Sequence, residues 1–189
     1  MEIDYKDLLW IKTGEWLTAA TFDKYRKQGG MVGVHGIPPE AVSAALAHPA
    51  VLVASDSRIE GGQGHPRSAG CYARVLGRYV RDERTLPLME ALRKMSLMPA
   101  RRLERRVPAM KHKGRIRPGA DADLAIFDPA RVLDRSTFAE PTLPPDGIPH
   151  VLVAGVPVVR DGRLQPAVQP GQPVRAQLGA ARPAPTPAR

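Results

Sequence analysis

Residues 31–56 read Met31-Val32-Gly33-Val34-His35-Gly36-Ile37-Pro38-Pro39-Glu40, then Ala41 to Ala47, His48-Pro49-Ala50, and Val51-Leu52-Val53-Ala54-Ser55-Asp56. This stretch decides the fold class. Met31 to His35 has the composition of a strand. Pro38-Pro39-Glu40 opens a helix, because proline is tolerated in a first helical turn. Ala41, Ala45 and Leu46 recur at helical spacing, and His48-Pro49 closes the helix. Val51-Leu52-Val53-Ala54 is an unbroken apolar run, as expected of a parallel strand covered on both faces. The pattern is a tightly connected strand–helix–strand unit, which predicts an α/β fold.

Upstream, Leu8-Leu9-Trp10-Ile11 has the character of a short buried strand. Thr18 or Thr21 can cap a helix that runs through Phe22 and Tyr25 and stops at Gly29-Gly30. Downstream of Asp56 comes a glycine-rich loop, Gly61-Gly62-Gln63-Gly64. Helices are expected from Ser68 to about Arg81, from near Pro87, and from Pro99. The pattern changes at Gly114. Leu124-Ala125-Ile126-Phe127 reads as a strand closed by Asp128-Pro129, and Val132-Leu133 as a further candidate. His150 to Val153 and Val156 to Val159 flank Ala154-Gly155, a hairpin signal. Residues 166–189 hold six prolines and no acidic residue, which predicts disorder.

The totals bound the function. The 189 residues are 43% hydrophobic, ordinary for a chain that buries a core. A net charge of +9, from 28 Lys+Arg against 19 Asp+Glu, favours anionic partners without choosing among them. The single cysteine, Cys71, rules out a disulfide framework and a multi-cysteine zinc site. The start, Met1-Glu2-Ile3-Asp4-Tyr5-Lys6, lacks the order of a signal peptide. No apolar run approaches the roughly 20 residues of a membrane span. A cytoplasmic protein is expected.

Asp56 is the sharpest candidate for chemistry. It follows the C-terminal end of an apolar strand, the edge where catalytic groups collect in parallel α/β folds. A carboxylate there can act as a base or bind a metal; Ser55-Asp56-Ser57 is equally good turn sequence. His65-Pro66-Arg67 lies in the glycine-rich loop. An arginine can grip a carboxylate with two parallel hydrogen bonds, and a solvated loop is the alternative. His35 ends a strand, and one histidine makes no metal site. His48, His112 and His150 have no chelating spacing. Cys71 reads as packing inside a helix. Arg101 to Arg117 is strongly basic but carries no aromatic residue for base stacking. It reads as a solvated connector, which argues against nucleic acid. Asp121 and Asp123 read as a turn into a strand.

Several stretches together resemble the D-aminoacylase, or N-acyl-D-amino-acid deacylase, family of amidohydrolases. They are Gly64-His65-Pro66-Arg67-Ser68-Ala69-Gly70, eight residues after Asp56, the segment from Met89 to Leu103, Gly114 through Gly119-Ala120-Asp121-Ala122-Asp123-Leu124 to Pro129, and Val151 to Gly162. The resemblance runs over about residues 20 to 175, and the details after Asp56 look closest to the N-acyl-D-glutamate deacylases.

The resemblance implies the last portion of a TIM-like (β/α) barrel over residues 1–112. A small β-sandwich subdomain over 113–175 and a disordered tail over 176–189 would follow. It implies zinc as cofactor and N-acyl-D-amino acids as substrates. It casts Asp56 as the group that takes a proton from metal-bound hydroxide and delivers it to the departing amine. Arg67 would face the substrate carboxylate, with His65 beside it. The family's metal ligands lie upstream, beginning with a His-x-His on the first strand, and this chain holds no His-x-His. The chain is therefore expected to begin late in the barrel. It would be inactive alone, with the missing barrel portion as its partner, and its open strand edges would favour oligomerisation or aggregation. A polyanion-binding module and a dihydroorotase- or hydantoinase-like fragment are the competing readings.

Overall fold

The computed structural model describes residues 3–176. It is a mixed helix-and-sheet structure. A three-stranded sheet is ordered β2-β1-β3, with β1 Leu8–Trp10, β2 Glu15–Trp16 and β3 Val32–Val34. Helix α1, Ala19–Gln28, lies between β2 and β3. Its start is a reciprocal cap: the Thr18 hydroxyl accepts from the Thr21 N–H and the Thr21 hydroxyl accepts from the Thr18 N–H. Gly29 stops it at φ +70°. Trp10 stacks on Tyr25 with ring centroids 4.5 Å apart, and both rings are buried. Gly30 is required beside them, because a Cβ there would sit 2.1 Å from the Trp10 ring.

Helix α2, Pro39–Ala47, starts at the prolines and ends at His48, as the sequence leads one to expect. The run Val51–Ala54 corrects the sequence reading. It joins no β-ladder, and among the described residues every strand pair is antiparallel. Only Val53 of the run is buried, in the helical core, while Leu52 and Ala54 are exposed. The Val53 N–H donates to the carbonyl of Lys94 at 3.2 Å, and the Lys94 ammonium donates to the carbonyl of His48. One residue thus holds the chain at His48 and again at Val53. Lys94 is fully buried, so this carbonyl matters: an unpaired buried ammonium costs several kcal/mol.

Two very short strands, β4 Ile59–Glu60 and β5 Gln63–Gly64, form a hairpin over Gly61-Gly62, where the sequence reads only as loop. Helix α3, Arg67–Arg74, continues with widened π-type turns through Asp82. Helix α4, Leu88–Leu92, passes through similar turns at Arg93–Leu97 into α5, Met98–Leu103, so two expected helices are one continuous rod. The larger core joins these helices to the segment after residue 127. Leu46, Val53, Ala73, Leu76, Tyr79, Leu86 and Ala91 cluster with Val132, which is fully buried. The Arg81 guanidinium also donates to the Val132 carbonyl at 2.6 Å.

The C-terminal sheet has the order β6-β7-β8-β9, with β6 Leu124–Ile126, β7 His150–Val153, β8 Val156–Arg160 and β9 Arg163–Leu164. The hairpin turn at Ala154-Gly155 falls where expected. Leu133 makes only an isolated bridge to Asp146. Among the described residues this part is one four-stranded sheet. Most of the expected disordered tail lies outside the described residues. Among those described, no helix is long and apolar enough to cross a membrane.

Candidate functional site

The run Val51–Ala54 delivers Ser55 and Asp56 to an exposed edge of the helical layer. Asp56 has φ +43°, in the left-handed region. A non-glycine residue there costs roughly 1 kcal/mol or more. Arg67, at the start of α3, holds it from two sides. Its Nε donates to the Asp56 carbonyl at 2.8 Å, and its Nη2 donates to the Asp56 carboxylate at 2.9 Å. The Asp56 side chain is 88% exposed. So open an ion pair contributes only about 0–1 kcal/mol of stability. What the pair fixes is direction: a carboxylate and a guanidinium side by side, facing outward.

His65 completes the group. Its Nδ1 accepts the Arg67 N–H at 3.1 Å. The neutral ring therefore carries its proton on Nε2, which is left as a donor. Burial lowers the pKa of His65 first, and the neighbouring Arg67, His35 and Arg74 lower it further. The imidazole is therefore neutral at pH 7.

His35, just after β3, lies 4.8 Å from the Trp16 ring and 5.0 Å from the Phe138 ring, centroid to centroid. Phe138 also meets His65, edge-on at 5.0 Å. The structure thus brings Asp56, His65 and Arg67 together and sets His35 beside them across one phenyl ring.

The segment Asp134 to Phe138 is the part that sequence reading missed. The Ser136 hydroxyl donates to the Pro66 carbonyl at 2.7 Å, 70 residues away in sequence. Asp134 accepts from the Ser136 N–H and lies 2.8 Å from its hydroxyl, and it pairs with Arg74 at 3.3 Å. Gly70 lets this loop approach, since a Cβ there would fall 1.9 Å from the Asp134 carboxylate. Only the Asp134-Arg135-Ser136 turn chemistry was a local signal.

The remaining candidates take structural parts. Cys71 is half-buried with its thiol 3.7 Å from the Ala54 carbonyl, and burial raises its pKa. His48, His112 and His150 each bond to nearby backbone through Nδ1. Asp121 and Asp123 both grip the Lys113 ammonium, at 2.9 and 2.5 Å, and Asp123 also accepts the Ala154 N–H. Arg115 pairs with Glu104. The basic stretch is thus partly neutralised internally. Among the described residues, no three His, Cys, Asp or Glu side chains converge as a metal site. The donor set held here does not fit a zinc centre by itself.

The model of the Amidohydrolase family matches residues 5–159. The chain belongs to the amidohydrolase family. This amidohydrolase chain is 40% identical over 134 residues to N-acyl-D-glutamate deacylase of Alcaligenes xylosoxydans xylosoxydans, covering 71% of itself and 26% of that protein. It is similar to the solved N-acyl-D-glutamate deacylase of Bordetella bronchiseptica, complexed with zinc and a phosphonate that mimics the tetrahedral intermediate. That match has a TM-score of 0.70 at 32% identity, over 92% of this chain and 38% of the other. A solved D-aminoacylase matches with a TM-score of 0.64 at 33% identity, over 71% and 27%. The chain spans about a quarter of the length of the curated relatives it matches.

Proposed function

We propose that this amidohydrolase chain is the C-terminal portion of an N-acyl-D-amino-acid deacylase, with N-acyl-D-glutamate as its substrate. The observation that carries the reading is the Asp56–Arg67–His65 group, an outward-facing carboxylate beside a two-pronged cation and a neutral imidazole. In amide hydrolysis a carboxylate can take the proton of the attacking water and return it to the departing nitrogen, a role that contributes about 10²–10⁴-fold. Asp56 has the exposure for that role. Arg67 keeps guanidinium N–H groups beyond those bound to Asp56, and these can receive a substrate carboxylate. The Nε2–H of His65 adds a neutral donor. The net charge of +9 favours a dianionic substrate such as N-acyl-D-glutamate.

Metal does not enter these steps through residues of this chain, whose donors do not form a site. In the whole enzyme, zinc would be held by residues outside it and would supply a polarised water. We assign residues 1–112 to the last part of a barrel and 113–175 to the small β-rich subdomain. The run Val51–Ala54 would take its ladder neighbours from the remaining barrel strands. That polypeptide is the partner this reading requires, and the chain alone is inactive.

The test is a chimera in which this chain replaces the matching segment of the Alcaligenes N-acyl-D-glutamate deacylase. Zinc-loaded chimera should hydrolyse N-acetyl-D-glutamate and spare N-acetyl-L-glutamate. A folded, zinc-loaded chimera that cleaves no N-acyl-D-amino acid refutes the reading.

A further inference from the structure

We propose that Ser136 and Phe138 are positioning residues for the Arg67 site, acting as a strap that reaches from the C-terminal segment to the first turn of α3. The substrate arm of the proposal rests on the deacylase reading above; its structural arm does not.

Arg67 must point two ways at once, toward Asp56 and outward. Nothing within its own helix supplies that direction. Helix α3 begins after Pro66, whose side chain cannot cap it, and the His65 ring takes only the first N–H, that of Arg67. The Pro66 carbonyl accepts the N–H groups of Ala69 and Gly70, at 3.2 and 3.0 Å, so it is the first rung of the helix. The Ser136 hydroxyl binds that same carbonyl. A donor fixed here fixes the plane of the Pro66–Arg67 peptide, and with it the Arg67 N–H that His65 accepts.

The strap is itself held rigidly. Ser136 is buried, Asp134 accepts its N–H and pairs with Arg74, and the one hydroxyl proton lies between the Pro66 carbonyl and Asp134 Oδ1, 2.7 and 2.8 Å away. Gly70 has no side chain where the loop crosses. Two residues on, the Phe138 ring covers the edge of His65 and its other neighbour is His35. The strap therefore touches the two residues that precede Arg67: Pro66 through a hydrogen bond and His65 through a ring. Burial is the leading cause of the lowered His65 pKa. Removing the phenyl exposes the imidazole and moves its titration back toward the ordinary value.

The experiment uses the 189-residue chain with Ser136→Ala, Ser136→Thr, Phe138→Ala and Phe138→Leu. Two NMR readouts are followed: hydrogen exchange of the Arg67 Nε proton and the titration midpoint of His65. Thermal melting is recorded alongside. Ser136→Ala should speed Arg67 Nε exchange about 5-fold or more, the worth of one hydrogen bond, and Ser136→Thr should restore it. Phe138→Ala should raise the His65 midpoint, with Phe138→Leu in between. Unchanged exchange in Ser136→Ala together with an unchanged His65 midpoint in Phe138→Ala overturns the strap.

If Ser136→Ala does not fold, Phe138→Leu carries the test alone: its His65 midpoint should rise, and an unchanged midpoint overturns the strap. In the active chimera, Ser136→Ala should raise KM for N-acetyl-D-glutamate about 5-fold with kcat kept. A fall in kcat at constant KM contradicts a role through Arg67. An inactive wild-type chimera removes the deacylase reading and leaves the NMR test of the strap intact.

Discussion

Gly70→Ala is the sharpest stability test of the contact between α3 and the Asp134–Phe138 segment. The added Cβ would lie 1.9 Å from Asp134 Oδ1 and 2.4 Å from Ser136 Oγ. An ordinary contact of about 3.4 Å requires the loop to retreat by about 1.5 Å. That retreat cannot be made by Asp134 alone. Its carboxylate bonds to the Ser136 N–H at 3.0 Å and pairs with Arg74 at 3.3 Å, and its side chain is only 11% exposed. Hydrogen bonds to a charged group contribute about 1.5–3 kcal/mol each, and overpacking costs about 1–3 kcal/mol. Against this, alanine in a helix gains about 1 kcal/mol over glycine. The net expectation is a loss of about 1–3 kcal/mol. That corresponds to a melting point lower by about 3–9 °C at this chain length. Urea unfolding should show a lower midpoint with an unchanged slope. Gly171→Ala, which meets nothing within 4 Å, is the control and should melt as the wild type does. A Gly70→Ala protein that melts at or above the wild type would show that propensity outweighs contact here, and would refute the close packing of loop on helix.

Arg67→Lys should leave stability within about 1 kcal/mol, because the pair with Asp56 is exposed. In the chimera it should raise KM for N-acetyl-D-glutamate, because an ammonium cannot reproduce the planar two-donor geometry; an unchanged KM would contradict substrate binding by Arg67. Asp123 has its pKa lowered, first by its hydrogen bond to Lys113 and then by the Ala154 N–H. A depressed acid stabilises the fold above its unfolded value of about 3.9, and that contribution is lost as pH falls through the folded value. Asp123→Asn should therefore flatten the fall in stability below about pH 4, as read by denaturant midpoints across pH, and an unaltered acid limb would count against the clamp.

What could be read from sequence was what local chemistry encodes. Thr18 and Gly29 bound α1, Pro38-Pro39 opens α2, and Ala154-Gly155 turns the hairpin, because caps and turns act over three or four residues. Asp56, His65 and Arg67 were the candidates the sequence offered, and their side chains lie together. The run Val51–Ala54 misled, because apolar composition does not say what a stretch pairs with, and here only Val53 is buried. Lys94, some 40 residues on, supplies the anchors that a neighbouring strand would otherwise give. The strap was invisible for a related reason: Ser136 meets Pro66 only after the intervening helices have packed. The bonding of Arg67 to Asp56 itself depends on a left-handed backbone at Asp56 that no sequence signal announces.

The central claim is that Asp56 moves a proton during hydrolysis. The direct measurement is the rate of N-acetyl-D-glutamate cleavage by the zinc-loaded chimera with Asp56 and with Asp56→Asn. In the folded variant kcat should fall by about 10²–10⁴-fold. An Asp56→Asn chimera that cleaves the substrate as fast as its parent would contradict it.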